Sequence, residues 1–388
     1  MTGLRSVGLF AGIGGIEAGL EQAGFETVAL CEIDSDANAV LDRHFPGAAR
    51  WFDVTEMRSL PKSDVVSAGF PCQDLSLAGR KKGISGNQSS LVEHVFRLLD
   101  SAPHPDWLVL ENVWYMLRLD KGAGMDYLVT ELEQRGMRWA YRVVDSRAFG
   151  LPQRRQRVIL VASRDNDPRG VLFSDDATEE SLDDTTTSID LRRGYGFYWT
   201  EGLRGLGWTR SAVPTVKGGS KLGIPSPPAV YLPGSGLIGT PTIEDAERLQ
   251  GFTEGWTVID EPGSTRRNGP RWRLIGNAVS VPVARWVGSR LPNSPKFQRE
   301  AQLLERGSRW PQAAWGDASG RFSVDMSKMP FNPEFEVLDF LAHDLVPLSV
   351  RAASGFLSRA RRSETLRFPP GFLEAVETHI ETGMLESA

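Results

Sequence analysis

The first 165 residues alternate short apolar runs with helix-like segments, and this alternation limits the possible folds more than any other feature of the chain. Residues 6–10, 27–31, 64–69, 107–110, 141–144 and 158–162 read as buried strands. Residues 16–23, 34–45, 91–100 and 125–134 read as helices, the first closed by Gly24, the second by Pro46-Gly47 and the last by Gly136. Strands separated by helices predict a mostly parallel sheet with helices on both faces. Such sheets bind ligands beyond the carboxyl ends of their strands, so the residues that follow each predicted strand are the candidates for chemistry.

Beyond residue 165 the pattern changes. An acidic, Thr-rich stretch reads as an exposed linker, and residues 194–241 are dense in Gly, Pro and Trp, as expected of an irregular β-rich module. Helical signals return at 241–250, with Thr242 as cap, and at 276–290. After Pro292 two amphipathic helices are expected, one opened by Asn332-Pro333 with Phe335, Leu338, Leu341 and Leu345 on one face, the other carrying Phe372, Val376 and Ile380. A chain of 388 residues calls for two or three domains.

Two cysteines, Cys31 and Cys72, with no C-x-x-C pair, argue against a disulfide framework or structural zinc and fit a reducing cytoplasm. No apolar run reaches the length of a membrane span. The net charge of −5 conceals an uneven distribution. Residues 165–190 hold nine acids against one base, which leaves the remainder at +3. Basic clusters stand at 80–82, 154–157, 266–273 and 359–362; they permit a nucleic-acid partner without demonstrating one.

The strand ends carry the informative residues. Phe10-Ala11-Gly12-Ile13-Gly14-Gly15 forms a glycine turn between strand and helix, where the backbone can approach a ligand. Its spacing is not that of the dinucleotide G-x-G-x-x-G motif. Glu32, seventeen residues past Gly15, could accept hydrogen bonds from ribose hydroxyls, and Asp53 could hold an adenine amino group or merely form a turn. Gly69-Phe70-Pro71-Cys72-Gln73 puts a thiol at the rim, just before a Gly- and Lys-rich stretch able to close over a bound nucleotide. Glu111, in Glu111-Asn112-Val113, ends an apolar strand, so it should be partly desolvated and available as a proton donor. In Gln153-Arg154-Arg155-Gln156-Arg157, strand alternation would project Arg155 and Arg157 together, with guanidinium forks suited to a phosphate or a pyrimidine carbonyl.

Together with Arg248-Leu-Gln-Gly-Phe252 and Gly276-Asn277-Ala278-Val279, these segments form an ordered series over about residues 4–290 that resembles the prokaryotic DNA cytosine-5 methyltransferases of restriction-modification type. The resemblance implies an α/β fold: a Rossmann-like S-adenosylmethionine-dependent methyltransferase sheet over 1–165, completed by 272–292. It also implies a smaller β-rich target-recognition domain over 166–271. The C-terminal extension, 293–388, lies outside it and is expected to be mainly helical. The implied activity is transfer of a methyl group from S-adenosylmethionine to C5 of a flipped cytosine in duplex DNA. Cys72 would be the nucleophile, Glu111 the acid at N3, Arg157 the contact to the carbonyl oxygen and Arg155 a support for the substrate or a phosphate. Phe10, Ala11, Gly12, Gly14, Gly15, Glu32, Ile33, Asp53, Val54, Pro71, Asn277, Ala278 and Val279 would form the cofactor pocket. Gln73, Ser76, Arg80, Lys81 and Lys82 would touch DNA, as could Trp199, Arg204, Trp208, Arg210, Lys217 and Lys221, and Arg248 would join the two domains. No metal is implied. A monomer in the cytoplasm, served by a cognate restriction or defence protein, completes the expectation. A tRNA methyltransferase, a catalytically silent DNA-binding protein and a nicotinamide-dependent dehydrogenase are the alternatives.

Overall fold

The computed structural model describes residues 3–71, 91–101, 104–178, 188–203, 205–218, 226–259 and 269–385. The chain divides into two compact units: one comprises 1–148, 156–179 and 278–332, the other 149–155, 180–277 and 333–388.

The first unit is built on ten strands: β1 (Leu4–Leu9), β2 (Phe25–Cys31), β3 (Ala49–Trp51), β4 (Val65–Ala68), β5 (Trp107–Val113), β6 (Arg138–Asp145), β7 (Gln156–Ser163), β8 (Gln302–Leu303), β9 (Ala313–Asp317) and β10 (Gly320–Ser323). They lie in the order β8-β10-β9-β6-β7-β5-β4-β1-β2-β3. The pairs β1–β2, β1–β4, β2–β3 and β4–β5 are parallel, whereas β7 runs antiparallel to both β5 and β6. Strand order reverses at β1, which has β2 on one side and β4 on the other; this is the place where a doubly wound sheet opens a crevice. β4 is buried along its whole length and β5 along nearly all of it, as near-continuous apolar runs in a covered parallel sheet require.

The helix Gly15–Gln22 packs closely on the helix Val281–Gly288. A Cβ on Gly19 would lie 2.6 Å from the backbone nitrogen of Arg285, so only glycine permits that approach. The contact fixes the segment that begins at Ala278 against the glycine turn's own helix. Residues 276–290, expected as one helix, are two: Gly269–Asn277 ends at Asn277, and Val281–Gly288 follows.

The extension is not a separate helical appendage. Residues 302–323 supply β8, β9 and β10, and β9 pairs with the outer edge of β6. Strands this short show too little alternation to be legible in sequence, and what holds them is an edge that would otherwise expose unpaired backbone groups. The helix expected after Asn332-Pro333 is only Val337–Phe340.

The acidic linker also differs from expectation where it is described. Residues 169–173 form a buried helical turn. Asp176 is paired by Arg142 and Arg299, each at 2.8 Å, Asp167 by Arg169 at 2.7 Å, and Asp175 by Arg290. Much of the negative run is therefore neutralised within its own unit.

In the second unit, five antiparallel strands run in the order Thr209–Arg210, Tyr195–Phe197, Ala229–Leu232, Leu237–Thr240, Val346–Pro347. The helices Val350–Arg361 and Phe372–Leu385 cover them. Phe372 is fully buried, with Phe197 and Trp208 rings at 5.0 Å and Tyr231 at 5.7 Å. Residues 333–388 thus share the core of this unit. Among the described residues, no helix is long and apolar enough to cross a membrane.

Candidate active site

Because β1 to β5 are parallel, their carboxyl ends share one rim, and the predicted residues of the first unit gather there. After β1 the chain turns sharply: Phe10 adopts φ 56°, a strained value for a residue with a side chain, and Gly12 and Gly14 have φ 56° and 80°. Gly12 donates its N–H to Glu32 Oε2 at 2.8 Å, and Asp34 donates to Glu32 Oε1 at 2.9 Å. Each carboxylate oxygen keeps a second lone-pair direction for a ribose hydroxyl. Asp34 caps the next helix, accepting from Asp36 and Ala37 N–H at 3.0 Å. A Cβ on Gly12 would meet nothing within 4 Å, so the turn faces open space.

Beyond β2 and β3, Ile33 is 77% exposed and Phe52 60% exposed. Large apolar side chains left bare at a rim suit the faces of a purine. Phe52 escaped the sequence reading, although it directly precedes Asp53. The Asp53 carboxyl is held below the usual carboxylate range, chiefly by the hydrogen bond from the Thr55 backbone N–H, so it is an anion able to accept from an amino group. Val54 is buried and belongs to the wall behind these groups. A glycine turn open to solvent, the Glu32 carboxylate, exposed apolar faces of purine size and the Asp53 anion are a set that fits S-adenosylmethionine.

Glu111 is buried at the end of β5 and pairs through Oε1 with Arg157 Nε at 2.8 Å. The register explains this, since Arg157 lies opposite Val113. A Cβ on Gly69 would be 3.6 Å from Glu111 Oε2, so the second carboxyl oxygen faces the backbone that leads to Pro71. Asn112, given no role from sequence, donates from Nδ2 to the Phe70 carbonyl at 2.9 Å and ties that segment to β5. Cys72, Gln73, Ser76, Arg80, Lys81 and Lys82 lie outside the described residues. Ala278 is buried and Val279 half-buried; just beyond them the Ser280 hydroxyl meets that of Ser146 at 2.8 Å, anchoring the segment to the end of β6.

In the second unit the motif residues are largely structural. Arg155 sits in the break between two strands, so alternation does not reach it; it is buried and donates to the Gly276 carbonyl at 3.2 Å. Gln153 donates to the Leu249 carbonyl at 2.8 Å and accepts from Val216 N–H at 2.9 Å. Arg248 pairs with Asp245 at 2.7 Å and stacks on Phe340, both in its own unit. Asn277 is exposed at its helix end. Trp208, a candidate for DNA contact, is buried against Tyr195 and Phe372, and Lys217 pairs with Glu201 at 3.3 Å. Trp199 donates its indole N–H to the Pro227 carbonyl, Arg210 is half-buried, and Arg204 and Lys221 lie outside the described residues. Among the described residues no cluster of His, Cys, Asp and Glu could hold a metal ion.

A family model of C-5 cytosine-specific DNA methylases matches residues 4–195. Type II methyltransferase M2.BsuMI of Bacillus subtilis (strain 168) is 49% identical over 381 residues, 96% of this chain and 97% of the relative. The chain belongs to the C-5 cytosine-specific DNA methylase family. Type II methyltransferase M.NlaX of Neisseria lactamica is a more distant relative, 32% identical over 74% of this chain and 96% of its own length. The fold is that of a solved S. pombe Dnmt2 methyltransferase, with a TM-score of 0.54 at 18% identity, covering 74% of this chain and 98% of that one. Methylases of this family take their methyl group from S-adenosylmethionine and methylate cytosine C5 through a covalent cysteine adduct. Membership excludes the dehydrogenase alternative, for which the glycine spacing was already unsuited.

Proposed function

We propose that this methylase modifies one cytosine within a specific duplex DNA sequence, in a restriction-modification setting, with Cys72 as nucleophile. The observation that carries the reading is the Glu111–Arg157 pair at the carboxyl rim, whose second carboxyl oxygen looks onto the backbone leading to Pro71, one residue before Cys72. Cytosine C5 is too weak a nucleophile to be alkylated unaided. Addition of the Cys72 thiolate at C6 makes C5 enamine-like, and Glu111 delivers a proton to N3 as charge develops there; once C5 is methylated, loss of its proton and expulsion of the thiolate from C6, with N3 returning its proton to Glu111, restore base and enzyme. Arg157, held at the rim by Glu111, binds the carbonyl oxygen, and Arg155 keeps the preceding segment in place. The bound cofactor supplies the electrophilic methyl group; Glu32 and Asp53 would hold its ribose and adenine, with Ile33 and Phe52 on the purine faces. Asn277, Ala278 and Val279 would contact its methionine end. The target base must leave the duplex to reach this rim. The second unit, described above as a β-sheet backed by C-terminal helices, would select the sequence, and a cognate nuclease would be the functional partner.

The test is duplex DNA in which 5-fluorocytosine replaces cytosine, with tRNA assayed alongside. Fluorine cannot leave as a proton, so the wild-type protein should be trapped covalently on duplex DNA in the presence of S-adenosylmethionine, and Cys72→Ala should not. Trapping on tRNA alone would move the substrate to RNA, and trapping on neither would leave a silent binding protein.

A further inference from the structure

On the buried face of the helix Ser35–His44, Asn38 stands among Ala37, Val40 and Leu41 and is 6% exposed. Asparagine is a poor helix former, and its Oδ1 is buried with no hydrogen-bond partner among the described residues. An apolar residue at that place would avoid both penalties. What asparagine supplies is its amide nitrogen, which donates to the Glu32 carbonyl at 2.7 Å and to the Asp34 carbonyl at 3.0 Å. The Asp34 carbonyl already accepts the Asn38 backbone N–H at 2.9 Å, the ordinary first bond of a helix. The bond that adds something is therefore the one to Glu32.

Glu32 is held through its backbone and through its carboxylate. Its N–H donates to the Trp51 carbonyl at 3.1 Å, on the neighbouring strand β3, and its carbonyl accepts from Asn38. Its two carboxylate oxygens accept from Gly12 and Asp34 N–H, at 2.8 and 2.9 Å. The backbone bonds fix where the side chain departs, and the carboxylate bonds fix where it ends. Arg50, one residue before Trp51, closes the circuit. Its Nη2 donates to the Asn38 carbonyl at 3.1 Å and pairs at 2.8 Å with Asp42, one turn further along the same helix. The end of β2, the strand β3 and the helix are thus joined around Glu32 by Asn38 and Arg50.

We propose that Asn38 is a positioning residue for cofactor recognition: by fixing the Glu32 carbonyl it keeps the Glu32 carboxylate in the orientation that accepts the ribose hydroxyls. The proposal rests on the reading of Glu32 as the ribose acceptor. Asn38 is buried and acts through Glu32 rather than on the ligand. A carboxylate free to swing must be ordered at the moment of binding, and that cost falls on recognition of the diol alone.

Calorimetric titration with S-adenosylhomocysteine and with its 2′-deoxy analogue tests this. The wild type should favour S-adenosylhomocysteine by about tenfold or more, the effect of one hydrogen bond to a charged acceptor. Glu32→Ala should bind the two compounds alike. Asn38→Leu keeps the side-chain volume and suits a helix, so it should melt near the wild-type temperature while the preference shrinks to about threefold or less. Asn38→Ala, smaller and the best helix former, should show the same loss and serves where leucine does not fit. Equal weakening of both compounds would mean that Asn38 serves stability alone and would overturn the proposal. So would a preference of wild-type size in a folded Asn38 variant; alongside its loss in Glu32→Ala, that result leaves the ribose reading in place. A wild type indifferent to the 2′-hydroxyl would remove the reading of Glu32, and the proposal with it.

Discussion

Cys31 ends β2, buried, and burial, aided by the carboxylates of Glu32 and Asp53, pushes its thiol up to about 12. It stays protonated and shielded at any working pH. A thiol reagent at pH 8 should therefore modify one cysteine in the native protein and none in Cys72→Ala, read by intact mass; rapid labelling of Cys31 would contradict the burial. Glu17 is the second residue-scale case. Its carboxyl is fully buried, accepts from the Ser67 hydroxyl at 2.8 Å, and leaves Oε2 without a partner among the described residues. Burial raises it to about 7. The folded state then holds a proton that the unfolded chain releases at its ordinary value of 4.5, so this group's contribution to stability is fully present below 4.5 and is lost as pH rises through about 7. Glu17→Gln should remove that loss, raising stability at pH 8 by up to about 3 kcal/mol and changing it little at pH 4. Melting curves at the two pH values decide it, and equal gains at both would show that ionisation is not the cause.

At the scale of elements, the cofactor rim is made by strand ends. Glycine positions and Glu32 were legible because a turn needing positive φ and an acceptor one strand later leave residue signatures. Phe52 was not, because an aromatic residue reads as core until the strand's end is known. Phe52→Ala should weaken S-adenosylhomocysteine binding by roughly tenfold in calorimetry, the loss of one ring face; an unchanged affinity would place the purine elsewhere. The predicted partnership of Arg155 with Arg157 failed on an element boundary. A two-residue strand, Gln153–Arg154, ends before Arg155, and β7 begins at Gln156.

At the scale of the molecule, the extension is divided between two units: three strands complete one sheet, and a strand with two long helices completes the core of the other. A chain cut at residue 292 should therefore fail to give a soluble, cooperatively melting protein, whereas an appendage could be removed freely. Phe372→Ala should cost about 3–5 kcal/mol, the figure for a large aromatic lost from a packed core. Denaturant unfolding of the variant measures this, and a loss below about 1 kcal/mol would mean that the ring is not a core element.

Local chemistry was determined by the sequence alone: which strand ends carry glycine, carboxylate, thiol and guanidinium, and in what order. Those signals are short-range, written in residue type and spacing along one element. Tertiary structure alone decided that Glu111 meets Arg157, that Asn112 ties the Phe70 carbonyl, that Trp208 is core, and where residues 293–388 belong. Each depends on strand register or on an edge that must be covered, and both are set by residues far apart in the chain.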